Sequence, residues 1–139
     1  MNKIILASHG EFSQGLKQTA SMIIGDEGNI FALSAFRDED EPIKNQVEHL
    51  LEVIGYEDVY LLTDIFGGSV NNDLLTLQQQ YPELHLVAGM NLPLVISIAT
   101  QSGKIDADQM AALLEESRQA MIDCKQLLTT QIDIGGDDL

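Results

Sequence analysis

Cysteine occurs once in the 139 residues, tryptophan never and proline three times. The single thiol, Cys124, cannot close an intrachain disulfide, so a cytoplasmic home is the expectation. Basic residues are scarce: 7 Lys and Arg stand against 22 Asp and Glu, a formal charge of −15. Nucleic acid is held by clustered Lys and Arg, so this balance argues against it as a partner. It equally disfavours a polybasic membrane anchor, and it favours a basic protein partner or simply high solubility. Apolar runs stay far below the roughly 20 residues that span a bilayer, and residues 1–8 lack a signal-peptide core. The three histidines, His9, His49 and His85, lie far apart without zinc-motif spacing, so no metal or other cofactor is expected.

What is present is a chain long enough for one domain with a real core. Hydrophobic residues make up 45% of it, too many for disorder. Ile4-Ile5-Leu6-Ala7 reads as a strand buried on both faces, and Phe12, Leu16, Ala20 and Ile23 then recur at helical spacing up to Gly25. Ile30-Phe31-Ala32-Leu33 is a second strand. The acidic run Asp38 to Glu41 reads as a solvated loop, and Pro42 opens a helix carrying Ile43, Val47, Leu50, Leu51 and Ile54. Val59 to Leu62 is a third strand, Val70, Leu74, Leu77 and Tyr81 mark a third helix, and Leu84 to Ala88 is a fourth strand. The turn Gly89 to Pro93 leads into an apolar segment, Leu94 to Ala99. Asp106 then caps a last long helix with Met110, Leu113, Leu114, Met121 and Cys124 on one face, where Cys124 packs as a small hydrophobe. Leu127 to Ile134 reads as an edge strand or a partner-binding arm, and Gly135 to Asp138 as a frayed end. The domain is taken as residues 1–128, with 129–139 as a tail.

Alternating strands and helices predict an α/β fold: a flavodoxin-like three-layer α/β/α sandwich with a parallel sheet of order 2-1-3-4. That order brings the ends of strands one and three together at the switch point, where ligands and chemistry gather in open α/β sheets. The loops meeting there are Ser8-His9-Gly10-Glu11 and Asp64-Ile65-Phe66-Gly67-Gly68-Ser69. An unperturbed imidazole titrates at about 6.5, so its neutral form is an available nucleophile at neutral pH. Attack by one ring nitrogen requires the other to hold the proton, and a carboxylate accepting that N–H fixes the tautomer. Asp64 is the candidate for that role on His9. Gly67 and Gly68 can bring main-chain N–H groups to an anion, and Ser69 can cap the next helix or donate to a phosphate. Arg37 and Asn91 lie on the same sheet edge as rim candidates; a solvated Arg37 and a turn-shaping Asn91 are the simpler readings. Glu11 reads as a first-turn helix charge, His49 as exposed and His85 as structural. Together these residues describe a histidine that accepts and holds a phosphoryl group.

Three motifs in register, Ile4-Ile5-Leu6-Ala7-Ser8-His9-Gly10, Leu62-Thr63-Asp64-Ile65-Phe66-Gly67-Gly68-Ser69 and Val87-Ala88-Gly89-Met90-Asn91-Leu92-Pro93, resemble the mannose-type EIIA domain of the bacterial phosphoenolpyruvate-dependent sugar phosphotransferase system. The resemblance implies that His9 takes a phosphoryl group from the phosphocarrier protein HPr and passes it to an EIIB subunit. It implies that Asp64 orients the histidine and that Ser69 lies near the phosphoryl group. Membrane EIIC and EIID subunits would be served indirectly. It further implies a homodimer in which a C-terminal strand can be exchanged. Phe66 stands where the family often has Trp, keeping the ring and losing the N–H donor. Some members continue into an EIIB domain; this sequence ends at Leu139, so EIIB is expected as a separate polypeptide.

Other readings fit less of the pattern. A receiver domain would carry Asp64 but needs an acidic pair where Ser8-His9-Gly10 stands. A histidine phosphatase needs Arg where Ser8 is. The phosphocarrier subunit of dihydroxyacetone kinase usually has Gly-Ser-Ala where this chain has Gly67-Gly68-Ser69-Val70, and it remains the alternative, together with a non-catalytic flavodoxin-like binding module.

Overall fold

A computed structural model of the chain describes residues 2–25, 28–36 and 41–133. Arg37 and most of the acidic run lie outside the described residues, as do Ile134 and the end of the tail. Four strands, β1 (Lys3–His9), β2 (Ile30–Ala35), β3 (Val59–Thr63) and β4 (His85–Ala88), form a wholly parallel sheet in the order β2-β1-β3-β4. This is the flavodoxin-like order expected from the alternation of elements.

The layers follow from the pleat. Successive side chains of a strand point to opposite faces, so a central strand covered on both sides must be apolar throughout. In β1, Ile4 and Leu6 enter one core, with Leu16 and Ala20 of α1 (Phe12–Ile24), Leu94 and Ile98 of α4 (Leu92–Ala99) and Met110 of α5 (Ala107–Gln119). Ile5 and Ala7 enter the other, with Val47 and Leu51 of α2 (Ile43–Ile54) and Leu74 and Leu77 of α3 (Ser69–Gln80). Each fully buried Leu or Ile stabilises the fold by about 1.5–3 kcal/mol relative to exposure.

Local signals set most boundaries. Gly25 and Gly55 end α1 and α2, and the Asp106 carboxylate accepts from the Gln109 N–H in a capping box that opens α5. The apolar segment after Pro93 is a helix, α4, because the Asn91 side-chain Oδ1 accepts from the Leu94 N–H at 3.0 Å and Pro93 sits in the first turn. The sheet edges are closed by glutamines. Gln14 and Gln46 donate to the carbonyls of Ala32 and Ser34 in β2, and Gln78 pairs with the Leu86 N–H and the Leu84 carbonyl along β4.

The structure corrects three expectations. In α1 the buried stripe is Ser13, Leu16 and Ala20, while Phe12 and Ile23 are exposed. The last long helix is two helices: α5 stops at Gln119 and α6 (Cys124–Asp133) begins after a break. Met121 and Cys124 therefore leave the buried face, and Cys124 is exposed rather than packed. Finally, the segment from Leu127 onward is helical as far as Asp133, not an edge strand. The Asp123 carboxylate accepts from the N–H groups of Lys125 and Gln126, and the hydroxyls of Thr129 and Thr130 turn back onto carbonyls one turn earlier. This capping starts a helix where β-branched composition suggested a strand.

Candidate functional site

β1 ends at His9 and β3 at Thr63, with Ala7 paired to Thr63, so the residues just beyond the two strands are neighbours. Asp64 turns back onto His9. Its Oδ2 accepts the His9 main-chain N–H at 2.8 Å and lies 2.7 Å from ring Nδ1. Its Oδ1 accepts the Ile65 N–H at 3.0 Å. An ionised carboxylate offers only acceptors, so Nδ1 carries the ring proton and donates it. The free lone pair is thereby left on Nε2. Ser69 Oγ lies 3.0 Å from Nε2 and donates to it.

Exposure divides the roles. The His9 side chain is 52% exposed and that of Asp64 only 13%, so the carboxylate stands behind an open ring. Burial alone would raise the Asp64 carboxyl, but the His9 main-chain N–H and ring outweigh it, with the Ile65 N–H adding, and its pKa falls below the ordinary 3.8. Asp64 is thus ionised throughout the neutral range.

The loop between Asp64 and Ser69 depends on two glycines for different reasons. Gly67 has φ +83°, in the left-handed region, and its carbonyl accepts from Asn72 Nδ2 at 3.3 Å. Gly68 has an ordinary φ of −75° but no room: a Cβ there would lie 2.8 Å from Ile65 Cγ2 and 3.5 Å from His9 Cε1. Gly68→Ala is therefore expected to lower stability by about 1 kcal/mol through overpacking. It should also shift the His9 ring resonances, because the added methyl meets the ring. Denaturant unfolding and ring proton spectra check both, and unmoved His9 resonances would show that the loop absorbs the methyl elsewhere.

Ser69, expected as a helix cap or phosphate donor, is the first residue of α3; Gly68 holds the cap position without a side-chain bond. The Ser69 hydroxyl is thus free of capping and faces His9, at a helix N-terminus whose N–H groups favour an anion. Gly67 supplies the left-handed turn that leads into Gly68 and Ser69, which are brought to the His9 ring. Asn91 is not: both ends of its amide serve its own turn, accepting from the Leu94 N–H and donating to the Gly89 carbonyl. Glu11 precedes α1 and makes no side-chain cap. His49 is exposed and pairs with Glu41 at 2.6 Å. His85 lies at the opposite end of the sheet beside the Tyr60 ring, and burial lowers its pKa.

Sequence reasoning missed the residues behind the site. Ser8 is fully buried and its hydroxyl accepts the Ser13 N–H at 2.8 Å, capping α1 from the preceding strand. Ser13 donates in turn to the Leu33 carbonyl at 2.7 Å. Buried Thr63 donates to buried Asn71 at 2.7 Å. The signal was a small polar residue on an otherwise apolar stripe: Ser13 one turn before Leu16, and Asn71 one turn before Leu74.

The profile of a family described as the fructose IIA component of the PTS (phosphotransferase system), EIIA-man, matches residues 3–117. The chain belongs to the mannose-type EIIA family. This EIIA chain is 31% identical over 100 residues to the fructose-specific EIIA component of Bacillus subtilis, spanning 70% of this chain and 68% of that one. It superposes on the PTS IIA protein associated with the fucose utilization operon of Streptococcus pneumoniae with a TM-score of 0.76 and 30% identity, covering 91% and 96% of the two chains. A mannose/sorbose-specific IIA subunit from Enterococcus faecalis shares the fold, with a TM-score of 0.79 at 24% identity over 88% and 93% of the chains. The EIIA chain is thus a component of a sugar phosphotransferase system of the mannose, fructose and sorbose class. Among its described residues no helix is long and apolar enough to cross a membrane.

Proposed function

We propose that this EIIA chain is a phosphocarrier that accepts a phosphoryl group from phospho-HPr on His9 Nε2 and passes it to an EIIB subunit for coupled sugar uptake and phosphorylation. The observation that carries this reading is the His9 ring held between Asp64 on Nδ1 and Ser69 on Nε2. In the first transfer the Nε2 lone pair forms a bond to phosphorus while the donor's nitrogen–phosphorus bond breaks in line. Nδ1 keeps its proton, so the phosphorylated ring is cationic, and the Asp64 carboxylate offsets that charge. The Ser69 hydroxyl, losing its acceptor on Nε2, turns to donate to a phosphoryl oxygen. The uncapped N-terminus of α3 adds main-chain donors. The second transfer reverses these steps towards EIIB.

Asp64 is the orienting group, and Gly67, Gly68 and Ser69 form the phosphoryl cradle. A half-exposed ring, with Ile65 and Phe66 also exposed on the loop beside it, suits a shallow site visited by protein partners. The formal charge of −15 would draw a basic donor face to it. Exposed Met121, Ile122 and Leu128 near the C-terminus support a homodimer. The reading places the protein in the cytoplasm, with membrane EIIC and EIID reached through EIIB. No cofactor enters this transfer.

The test is incubation with phosphoenolpyruvate, the system's first transferase and HPr. The expected product is a phosphoprotein that is stable in base and loses its label in acid, with phosphorus bonded to Nε2 by NMR. An acid-stable label, or one on Asp64, would overturn the reading.

A further inference from the structure

The two partners of the His9 ring sit at the two ends of one loop. Asp64 immediately follows the last residue of β3, and Ser69 is the first residue of α3. The separation of those two ends therefore decides whether one imidazole can meet both. Within the loop itself the main-chain restraint is weak: the Gly68 N–H reaches the Ile65 carbonyl at 3.3 Å. A stronger tie lies underneath. Thr63 Oγ1 donates to Asn71 Oδ1 at 2.7 Å, with the two residues 0% and 1% exposed. Thr63 is one residue before Asp64, and Asn71 is two residues after Ser69. On its other side the Thr63 carbonyl accepts the N–H groups of Gly89 and Met90 at 3.0 and 2.9 Å, which anchors the strand end to the turn after β4.

We propose that the buried Thr63–Asn71 hydrogen bond is a positioning clamp that sets the spacing of Asp64 and Ser69 across the His9 ring, and so keeps Nε2 the free nitrogen. The imidazole hydrogen-bonds to Asp64 and Ser69 and to neither clamp residue, so both act through the residues beside them. Stability is a poor account of the pair. Replacing both partners of a buried hydrogen bond by apolar groups of similar shape is nearly neutral, whereas removing one leaves an orphan. What the bond adds over apolar packing is direction: it holds α3 to the end of β3 at one distance, where methyl groups would slide. This inference rests on the proposed role of His9 for its kinetic consequence but not for its structural one.

The test compares Thr63→Val, the double variant Thr63→Val/Asn71→Leu, and Thr63→Ser, which keeps the hydroxyl. Three quantities are read: unfolding midpoint, the ring nitrogen shifts of unphosphorylated His9, and the kcat and KM of phosphoryl uptake from HPr. The double variant is expected to fold with a midpoint near the parent's. Its His9 shifts should move towards a mixture of tautomers, and kcat should fall by about tenfold or more at unchanged KM. Thr63→Ser should restore both. A double variant with parental tautomer and kcat would overturn the clamp, leaving the pair as buried-polar satisfaction alone. Should the double variant not fold, Thr63→Val carries the same comparison against Thr63→Ser. Failure of the parent to take up phosphate would remove the His9 reading while the tautomer result still decides the clamp.

Discussion

His9→Ala is expected to take no phosphoryl group from HPr while remaining folded. The loss should be complete because the molecule offers no second imidazole at the site. His85 is at the other end of the sheet, half-buried and held towards its neutral form by burial. His49 lies exposed on α2 and is paired with Glu41. The fold should survive because the ring is half in solvent and one of the two ties from His9 to Asp64 does not need it: residue 9 still donates its main-chain N–H to Asp64 Oδ2, a bond of 2.8 Å in the parent. A stability change within about 1 kcal/mol is expected, as for substitutions of exposed groups. Label transfer and denaturant unfolding, measured on the same preparation, separate the two effects. Label retained at the parental rate would remove His9 as the acceptor and with it the phosphocarrier mechanism.

Asp64→Asn should slow transfer by about a hundredfold or more, the scale seen when a carboxylate that orients a catalytic imidazole becomes its amide. The amide has nearly the same shape, so docking of HPr, read as KM, should change little. Two things are lost. The amide can present an N–H to Nδ1, which favours the tautomer with its proton on Nε2 and hides the nucleophile. It also removes the negative charge facing the cationic phosphorylated ring. An unchanged rate would sink the orienting role. The same variant has a pH signature. Because the native Asp64 carboxyl is held below the ordinary 3.8, its contribution to stability is present above 3.8 and is lost as pH falls through the lower native value. The parent should therefore lose stability over that acid window, and Asp64→Asn should lose less there. Neutral pH is well above the window, so the orienting contact is intact under working conditions.

The burial of β1 on both faces was written in Ile4 to Ala7, because only a strand covered by helices on both sides can be apolar without alternation. From strand order alone, His9 and Asp64 were placed together, since parallel strands one and three end at the same edge. Gly68 was read as a close approach, but the reason it must be glycine, the Ile65 side chain beneath its missing Cβ, is a three-dimensional fact. Asn91 reads more simply as turn-shaping than as a rim contact, and it is a helix cap whose amide finds partners two and three residues away. Of the two readings of the tail, the edge strand fails: Leu, Thr and Ile spaced along it resemble a strand, whereas Asp123 caps the backbone into α6.

The sequence by itself determined the alternation of elements, the parallel order they imply, the family, and the histidine and aspartate at the switch point. The elements and the site pair follow from periodicity and from residues that carry their chemistry locally, the family from the resemblance of three motifs in register. Only the tertiary structure decided which oxygen of Asp64 holds the ring, that Ser69 faces Nε2 instead of capping its helix, and that Thr63 and Asn71 meet beneath the loop. The physical reason is directional: a hydrogen bond is decided to within a few tenths of an ångström by how two distant segments are packed, and no pattern along one chain records that distance.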